Sequence, residues 1–197
     1  MKKSPLLNLI LLVLLAVSVL WLYWPDSNGG KDEPSENADY VLAVSWQPAF
    51  CEKRPNVREC RSQRAGRFDV ENFSLHGLWP QPHGNIYCDV PSNLVSVDKQ
   101  GKWRNLPNLD LSDALRNELS IKMPGYQSGL HRHEWFKHGT CMHGVSPEEY
   151  FRISLDLLDQ LNNSGFRDLI KQNTGRKLSF RDIEQPFIKA FGKGANN

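Results

Sequence analysis

Two stretches of the 197-residue sequence combine titratable side chains with bulky apolar ones. The first runs from Phe73 to Gln81, reads FSLHGLWPQ and contains His76. The second runs from His131 to Cys141 and reads HRHEWFKHGTC. Five titratable residues of the second stretch lie close together: His131, His133, Glu134, Lys137 and His138. Because surface helices rarely interleave such charges with tryptophan and phenylalanine, we interpret the second stretch as the wall of a cleft.

A helix through the second stretch would gather these charged residues on one side. At about 100° per residue, Lys137, Glu134 and His138 lie at about 40°, 100° and 140° from His133. Glu134 and His138 are also an i, i+4 pair, and such pairs are neighbours on a helix surface. The side chains of these four residues, His133, Glu134, Lys137 and His138, would then lie on one side of the helix.

Zinc binding is one chemistry that histidines at this spacing can serve. Residues 133–138 resemble the H-E-x-x-H zinc motif but contain one residue too many, so the two histidines do not lie one turn apart on one face. Lys137 would also place a cation beside the metal, which opposes metal binding. His131 and His133 on a strand remain a candidate zinc pair, so a zinc-dependent hydrolase stays as an alternative. The leading interpretation needs neither a metal nor a cofactor.

Metal-free phosphoryl transfer fits the residue types better. Cleavage of a phosphodiester by a neighbouring hydroxyl needs a base and an acid, and histidine suits both because its ordinary pKa is about 6.5. The transition state also needs positive charge or hydrogen-bond donors at its phosphoryl oxygens. Glu134 can orient an imidazole, and Trp79 can stack on a base of single-stranded RNA. The remaining groups are supplied by His76, His133, Lys137 and His138.

Two apolar segments predict the strands that must support these residues. Residues 40–46 form a short, almost continuous apolar run, which predicts a buried strand. Residues 73–76 alternate between apolar and polar side chains, which puts His76 on the polar face of a second strand. Gly77 breaks this alternation, so the second strand is expected to end there.

Capping signals predict three helices in the second half of the chain. Ser112 is a candidate N-cap for the first. Ser146 begins the sequence SPEE, which combines an N-cap serine, a proline at the first helical position and a capping-box glutamate. A last helix is expected from Ser179, with Pro186 kinking or restarting it. Strands early and helices late predict an α+β fold. The core stripe of the second helix is expected to comprise Phe151, Leu155, Leu158 and Leu161.

The N-terminus is typical of a targeting segment. Residues 6–24 are an apolar run that only Asn8 and Ser18 interrupt, and they follow two lysines. Ala16 and Ser18 offer a small-x-small cleavage site, which favours a signal peptide. The run is also long enough to span a bilayer. Residues 1–24 are therefore expected to be a cleaved signal peptide or an anchor in the inner membrane, with the rest of the chain periplasmic or secreted.

The remainder divides into a tether and one domain. Residues 25–39 contain almost no apolar side chain and are interpreted as a disordered tether. Residues 40–197 are long enough for one sizeable core. The 24 basic residues less Lys2 and Lys3 equal the 22 acidic ones. A net charge near zero argues against binding nucleic acid through phosphate neutralisation alone, although it does not exclude a nuclease with a positively charged cleft.

The cysteine pattern favours disulfides over metal binding. No two of the four cysteines are spaced as C-x2-C, so a zinc knuckle or ribbon is disfavoured. An even number in an exported chain favours two disulfides, with three possible connectivities, over free buried thiols. The cysteines are Cys51, Cys60, Cys88 and Cys141.

Two motifs resemble the active-site segments of the T2 family of secreted acid ribonucleases, in its bacterial periplasmic type. They are HGLWPQ at residues 76–81 and HEWFKHGTC at residues 133–141. Residues 40–51 are similar to the opening strand of the family, and Met123 with Pro124 stands where the family often has this pair. The resemblance covers about residues 40–192, and the two motifs in this order are highly specific.

The resemblance implies a catalytic role for each matching residue. His138 would be the general base on the ribose 2′-hydroxyl and His76 the general acid for the 5′-oxygen, an order that the residues alone do not decide. His133 would bind phosphate, while Glu134 and Lys137 would stabilise the transition state.

The resemblance also implies the fold, a base-binding residue and the disulfide pairs. The expected fold is a central, mostly antiparallel sheet flanked by helices. Trp79 lies in the segment that binds a base in the family, although core packing explains a tryptophan equally well. Cys88 and Cys141 match the core disulfide of the family, which leaves Cys51 and Cys60 as the second pair.

The implied function is cleavage of single-stranded RNA within the chain, by metal-independent transesterification through 2′,3′-cyclic phosphates to 3′-phosphates. RNA is the expected partner, DNA is not, and a monomer is expected. Family members usually continue beyond the helix of residues 179–191 into further strands, so we expect a shortened form that lacks the C-terminal strands. A catalytically impaired RNA-binding protein of the same family is therefore a further alternative.

Overall fold

The computed structural model describes residues 40–195. The predicted leader, residues 1–24, and the predicted tether, residues 25–39, lie outside the described residues. Within the described part of the chain, no helix has the length and apolar character needed to cross a bilayer.

Two antiparallel strands form the sheet that supports the first motif. Strand β1 (Tyr40–Trp46) confirms the predicted strand, but the prediction that it is buried is wrong: Tyr40 and Val41 are exposed and the other five residues are only partly buried. Strand β2 (Phe73–Pro80) is longer than expected, because the chain stays paired through Gly77, which lies opposite Ala43. The next pair is Val44 with Leu75, so His76 has no partner on β1 and occupies a β-bulge. Bulges bend a strand and change the direction of a side chain, and they are common beside active sites.

Helices make up most of the remaining structure, so the α+β prediction is confirmed. Three 3₁₀ turns, Trp103–Asn105, Pro124–Ser128 and Gly139–Cys141, separate some of the helices. The sheet has two strands within residues 40–195. The α-helices of this region are α1 (Gln47–Lys53), α2 (Arg58–Arg61), α3 (Phe68–Glu71), α4 (Ser92–Lys99), α5 (Asp113–Lys122), α6 (Leu130–Lys137), α7 (Pro147–Asn162), α8 (Gly165–Gln172) and α9 (Phe180–Phe191).

Side-chain caps begin the three helices predicted from their serines. The Ser112 hydroxyl accepts a hydrogen bond from the third helical amide of α5, and Ser146 does the same for α7. Glu149 returns no hydrogen bond to the Ser146 amide among the described contacts, so the predicted capping box of α7 is only half formed. Ser179 and Asp182 form a complete capping box at α9. Helix α9 continues through Pro186 as one element, so the prediction of a restart is wrong.

Helix α7 packs its apolar stripe on β2 and holds the strand at both ends. The Tyr150 hydroxyl donates to the Leu78 carbonyl and accepts from the Leu78 amide, each at 3.0 Å. The Asn162 amide group bonds both backbone groups of Phe73. Burial of a large apolar side chain contributes about 1.5–3 kcal/mol, so the stripe anchors the strand that carries His76. The predicted stripe is buried at all four positions, Phe151, Leu155, Leu158 and Leu161.

Two disulfides tie loops to this core. Cys51 is bonded to Cys60, and Cys88 to Cys141, which are the pairs that the resemblance implies. The second bond joins the loop after β2 to the turn after α6 across a separation of 53 residues. On the chain-entropy model, closing such a loop contributes roughly 4 kcal/mol to stability. The loop that follows the first motif is therefore tied covalently to the end of the second motif.

Candidate active site

A buried carboxylate, Glu134, joins the two motifs. It is 0 % exposed, and its Oε2 accepts a hydrogen bond of 2.8 Å from the Trp79 indole N–H. Its Oε1 lies 3.3 Å from His76 Nε2 and 3.7 Å from His133 Nε2. These two contacts are within ion-pair distance but outside hydrogen-bond geometry. Because a buried carboxylate needs compensating charge or donors, the Trp79 N–H and the two nearby imidazoles are the groups that can compensate Glu134.

The glycine of the first motif is required by this packing. A Cβ atom at Gly77 would lie 1.9 Å from Glu134 Oε2. No side chain other than hydrogen fits between β2 and α6 at this position. In the sequence H-G-x-W, His76 and Trp79 therefore lie on either side of Gly77. The Glu134 carboxylate packs against this glycine. The His76 side chain remains 41 % exposed, so it can reach a substrate.

His133 is held by a second buried carboxylate, Asp98 of α4. His133 Nδ1 lies 2.7 Å and 2.9 Å from the two Asp98 oxygens. The imidazole also stacks on Trp103, with ring centroids 4.5 Å apart. The Tyr87 hydroxyl donates to Asp98 at 2.6 Å, and burial followed by the bond to this carboxylate raises the pKa of Tyr87. His133 therefore has a fixed ring plane, with Nε2 directed towards Glu134.

Asp98 and Tyr87 were missed by reasoning from the sequence. Asp98 lies 35 residues before His133, and no local spacing connects the two. Asp98 follows Val97 in a short helix, where a charged residue is ordinarily exposed. Only its burial, which leaves it 3 % exposed, identifies it as part of the site.

His138 reaches the site from outside the helix. Helix α6 ends at Lys137, and His138 is its C-cap, with φ −118° and an amide that still donates to the Glu134 carbonyl. The chain turns there because Gly139 packs on Trp135, whose ring would lie 2.3 Å from a Cβ atom at the glycine. The His138 ring stacks on Trp79 with centroids 5.3 Å apart.

The surroundings of His138 favour its neutral form. The residue is 7 % exposed, and its Nδ1 has no hydrogen-bond partner among the described residues. Burial is the main cause that lowers the pKa of His138 to about 4, and the positive charges of Lys137 and the other two histidines add to it against the opposing effect of Glu134. A neutral imidazole at ordinary pH can accept a proton.

His131 lies apart from this cluster. Its ring stacks on Tyr126 with centroids 4.1 Å apart, whereas the His133 ring stacks on Trp103. Both histidines belong to helix α6, so the alternative of a zinc pair on a strand is wrong. Within residues 40–195, no group of three or more histidine, cysteine, aspartate or glutamate side chains has an arrangement that could hold a metal ion.

Two cavities lie on either side of the histidine cluster. The cavity beside His76 has a volume of about 340 Å³ and is lined by Ser45, Ser74 and Trp103, among others. The cavity beside His138 has a volume of about 260 Å³, and its wall includes Trp79, Ile86 and Lys137. Each cavity therefore has one histidine of the cluster in its wall and an aromatic ring beside it.

Comparison with known proteins places the chain in a family. Residues 38–196 match the model of the Ribonuclease T2 family, and the chain belongs to this family. The resemblance of the two motifs is thereby confirmed.

Several curated proteins are similar to the chain. It is 32 % identical to "Ribonuclease I" of Escherichia coli (strain K12), over 78 % of this chain and 65 % of that protein. It is 31 % identical to "Intracellular ribonuclease LX" of Solanum lycopersicum, over 80 % of this chain and 64 % of the relative. A "Ribonuclease" of Aeromonas hydrophila is also 31 % identical, over 68 % and 51 %. The chain thus spans about half to two thirds of the length of these relatives.

A solved structure is similar over much of the chain. The SF11-RNase of Nicotiana alata, associated with gametophytic self-incompatibility, gives a TM-score of 0.48 at 18 % identity, with 78 % of this chain and 74 % of that chain covered.

Proposed function

We propose that the protein is an endoribonuclease that cleaves single-stranded RNA by transesterification. The 2′-hydroxyl attacks the adjacent phosphorus, the 5′-oxygen leaves, and the 2′,3′-cyclic phosphate is then hydrolysed to a 3′-phosphate. The observation that carries the proposal is the convergence of three imidazoles on one site. His76 and His133 contact the same oxygen of Glu134, and His138 stacks on the indole that donates to the other oxygen.

His138 is proposed as the general base and His76 as the general acid. Burial lowers the pKa of His138 to about 4, so the imidazole is neutral at ordinary pH and can take the proton of the 2′-hydroxyl. His76 is exposed and lies 3.3 Å from Glu134, so it is positioned by this carboxylate and can reach the 5′-oxygen to which the acid must donate. Each positioned acid or base contributes about 10²–10⁴-fold to such a rate.

The remaining residues of the second motif are proposed to stabilise the transition state. Lys137 shares a cavity wall with His138, so its ammonium group can approach phosphoryl oxygens as negative charge develops there. His133 is proposed to bind the phosphate through Nε2, since its Nδ1 is engaged by Asp98. Glu134 positions the two imidazoles, and Asp98 is proposed as a positioning residue for His133.

The two cavities give the substrate a direction. If His138 is the base and His76 is the acid, the nucleotide with the attacking hydroxyl lies in the cavity of Trp79. The nucleotide with the leaving oxygen then lies in the cavity of Trp103. Trp79 donates its N–H to Glu134, which fixes the ring plane while part of the ring stays exposed. The proposal that Trp79 stacks on a base therefore remains, together with a hydrogen bond to Glu134 that the sequence did not predict.

The proposed reaction needs no metal. The nucleophile belongs to the substrate, and the positive charge comes from Lys137 and a protonated histidine. Chelators should therefore leave the rate unchanged. For the same reason DNA, which lacks the 2′-hydroxyl, is not expected to be a substrate.

A location outside the cytoplasm is proposed for the domain. All four cysteines are paired in disulfides, and such bonds persist mainly in oxidising compartments. The apolar segment of residues 6–24 is proposed to direct export, either as a cleaved signal or as an anchor. A monomer is proposed, because the catalytic set assembles within one chain.

The direct test is incubation of the full chain with a single-stranded RNA oligonucleotide. We expect cleavage in the presence of EDTA, with 2′,3′-cyclic phosphate ends that later become 3′-phosphates, both resolved by mass spectrometry. Loss of cleavage in EDTA with recovery on addition of Zn²⁺ would favour a zinc hydrolase instead. A folded protein that binds the oligonucleotide but leaves it intact would favour the catalytically impaired alternative.

A further inference from the structure

A third cavity, of about 480 Å³, lies beside helix α6. His131, which has no part in the proposed catalysis, belongs to its wall. Three arginines also line this cavity, and no acidic residue does. The arginines are Arg104, Arg116 and Arg132.

The three arginines keep their charge uncompensated. None takes part in an ion pair within residues 40–195, although several other arginines and lysines of this region do. Arg132 donates to the backbone carbonyls of Arg104 and Leu106 and to the Asn108 side chain. Arg116 donates to the Leu111 carbonyl. These acceptors are neutral, so they fix the guanidinium groups without cancelling their charge.

Two buried polar atoms at the cavity lack partners. They are the Nδ1 of His131 and the Nε of Arg132, each buried and without a hydrogen bond among the described residues. An unsatisfied buried polar group costs about 1–3 kcal/mol, so native structures leave few of them. An ionised ligand in the cavity would neutralise the surplus charge of the three guanidinium groups.

The cavity adjoins the proposed substrate path. Trp103 and Leu130 line the cavity beside His76, whereas their chain neighbours Arg104 and His131 line this one. The two segments meet at Gly129, where a Cβ atom would lie 3.0 Å from the Arg104 amide. The close approach at this glycine forms the boundary between the two cavities.

We propose that the cavity of Arg104, Arg116 and Arg132 is a binding site for a phosphate group. The arginine fork matches the geometry of phosphate oxygens and forms charge-assisted, bidentate hydrogen bonds with them. A phosphate with a charge of −1 to −2 would balance the arginines better than a neutral ligand. The phosphate belongs either to the RNA chain as it leaves the cavity beside His76 or to a small free phosphate.

The surroundings of His131 support a positive potential in this cavity. Burial, followed by the charges of Arg132 and Arg116, lowers the pKa of His131 to about 4. The imidazole is thus a neutral reporter inside the proposed site, and its ring protons should respond to a nearby anion.

The proposal is tested by titrating the full chain with inorganic phosphate while the His131 ring resonances are followed by NMR. We expect a saturable shift at His131 that weakens on the order of tenfold in Arg104→Gln, since one charge-assisted bond is worth roughly that factor. Arg104 is exposed and donates no side-chain hydrogen bond among the described contacts, so its replacement should not disturb the fold. Arg152→Gln, at an arginine paired with Glu148 on α7, is the matched control and should leave the shift unchanged.

A second measurement distinguishes the two sources of the phosphate, and this arm rests on the proposed ribonuclease activity. If RNA supplies the phosphate, Arg104→Gln should raise KM for an oligonucleotide extended on the 3′ side of the cleaved bond but not for a dinucleotide. An unchanged KM for both, with weaker phosphate binding, would identify a free phosphate as the ligand. The proposal is overturned if the His131 resonances do not respond to phosphate or respond equally in Arg104→Gln. The titration needs no catalysis, so this failure is separate from a failure of the proposed function.

Discussion

Helix α6 carries two histidines, two positions apart, whose surroundings have opposite charge. His133 lies between two buried carboxylates, Asp98 at 2.7 Å and Glu134 at 3.7 Å. His131 lies among arginines, with burial and these charges lowering its pKa to about 4. Both rings stack on an aromatic side chain, Trp103 in one case and Tyr126 in the other. The aromatic packing is therefore alike, and the charges around each ring are what differ.

The comparison shows that residue type alone does not assign chemistry. An imidazole beside a carboxylate can be protonated, and the resulting cation can bind a phosphate. An imidazole beside guanidinium groups stays neutral and leaves the positive charge to its neighbours. One face of α6 thus lies beside carboxylates, and the other lies beside guanidinium groups.

The largest expected effect comes from removing the proposed nucleophile, which is the 2′-hydroxyl of the substrate. An oligonucleotide made of deoxynucleotides with a single ribonucleotide should be cleaved only after that ribonucleotide, because no other position has a 2′-hydroxyl. The products can be read by mass spectrometry. Cleavage at deoxy positions would show that water, and not the substrate hydroxyl, is the nucleophile, and would contradict the roles proposed for His138 and His76.

The next effect is that of removing the acid or the base. His138→Ala and His76→Ala should each lower kcat by about 10²–10⁴-fold. His143→Ala is a suitable control, because His143 is exposed and lies in the turn after the second motif. Its rate should equal that of the unmodified protein. A fully active His138→Ala variant would remove His138 from the proposed mechanism.

A smaller effect is expected at Asp98, which contacts His133 but no substrate. Asp98→Asn keeps the shape of the side chain and removes its charge, so kcat should fall by about 10–100-fold, the worth of one hydrogen bond between charged groups. KM should change little if Asp98 only positions the imidazole.

The matched control for Asp98 is Asp69→Asn. Asp69 is also buried but is paired with Arg67, by hydrogen bonds of 2.9 Å and 3.2 Å, away from the site. Its replacement should lower the free energy of unfolding and leave kcat unchanged. Equal losses of kcat in the two variants would mean that Asp98 has a structural role only.

The local features of the fold could be predicted from the sequence. Strand β1 and the buried stripe of α7 depend on short apolar patterns, and the caps at Ser112, Ser146 and Ser179 depend on single residues. The two motifs were recognised from their residue types, and the family resemblance supplied the proposed residue roles and the cysteine pairs. These features hold because they depend on neighbours along the chain or on a motif with a fixed structure.

The features that escaped prediction depend on contacts between distant segments. Strand β2 continues through Gly77 because β1 pairs with it and the Glu134 carboxylate fills the space of a side chain. Asp98 becomes part of the site only through packing of α4 near α6. His138 leaves the helix because Gly139 packs on Trp135. In each case tertiary packing overrides a local pattern.

The smallest expected effect concerns His131 and the way in which the stability of the protein depends on pH. The pKa of His131 in the folded state is about 4, below the ordinary value of 6.5. Between these values the unfolded chain binds a proton that the folded protein does not, so stability falls as the pH falls from about 6.5 to about 4. Above about pH 6.5 the contribution of His131 is fully present.

His131→Gln should remove this part of the pH dependence. Urea unfolding at several pH values between 4 and 7 should show a shallower slope of unfolding free energy against pH than in the unmodified protein, by at most one proton. Carboxylates that titrate in the same range cancel in the difference between the two proteins. His143→Gln, at an exposed histidine, should leave the slope as it was. An unchanged slope in His131→Gln would mean that the arginines and burial do not keep this imidazole neutral, and the two faces of α6 would then not differ in the way the structure indicates.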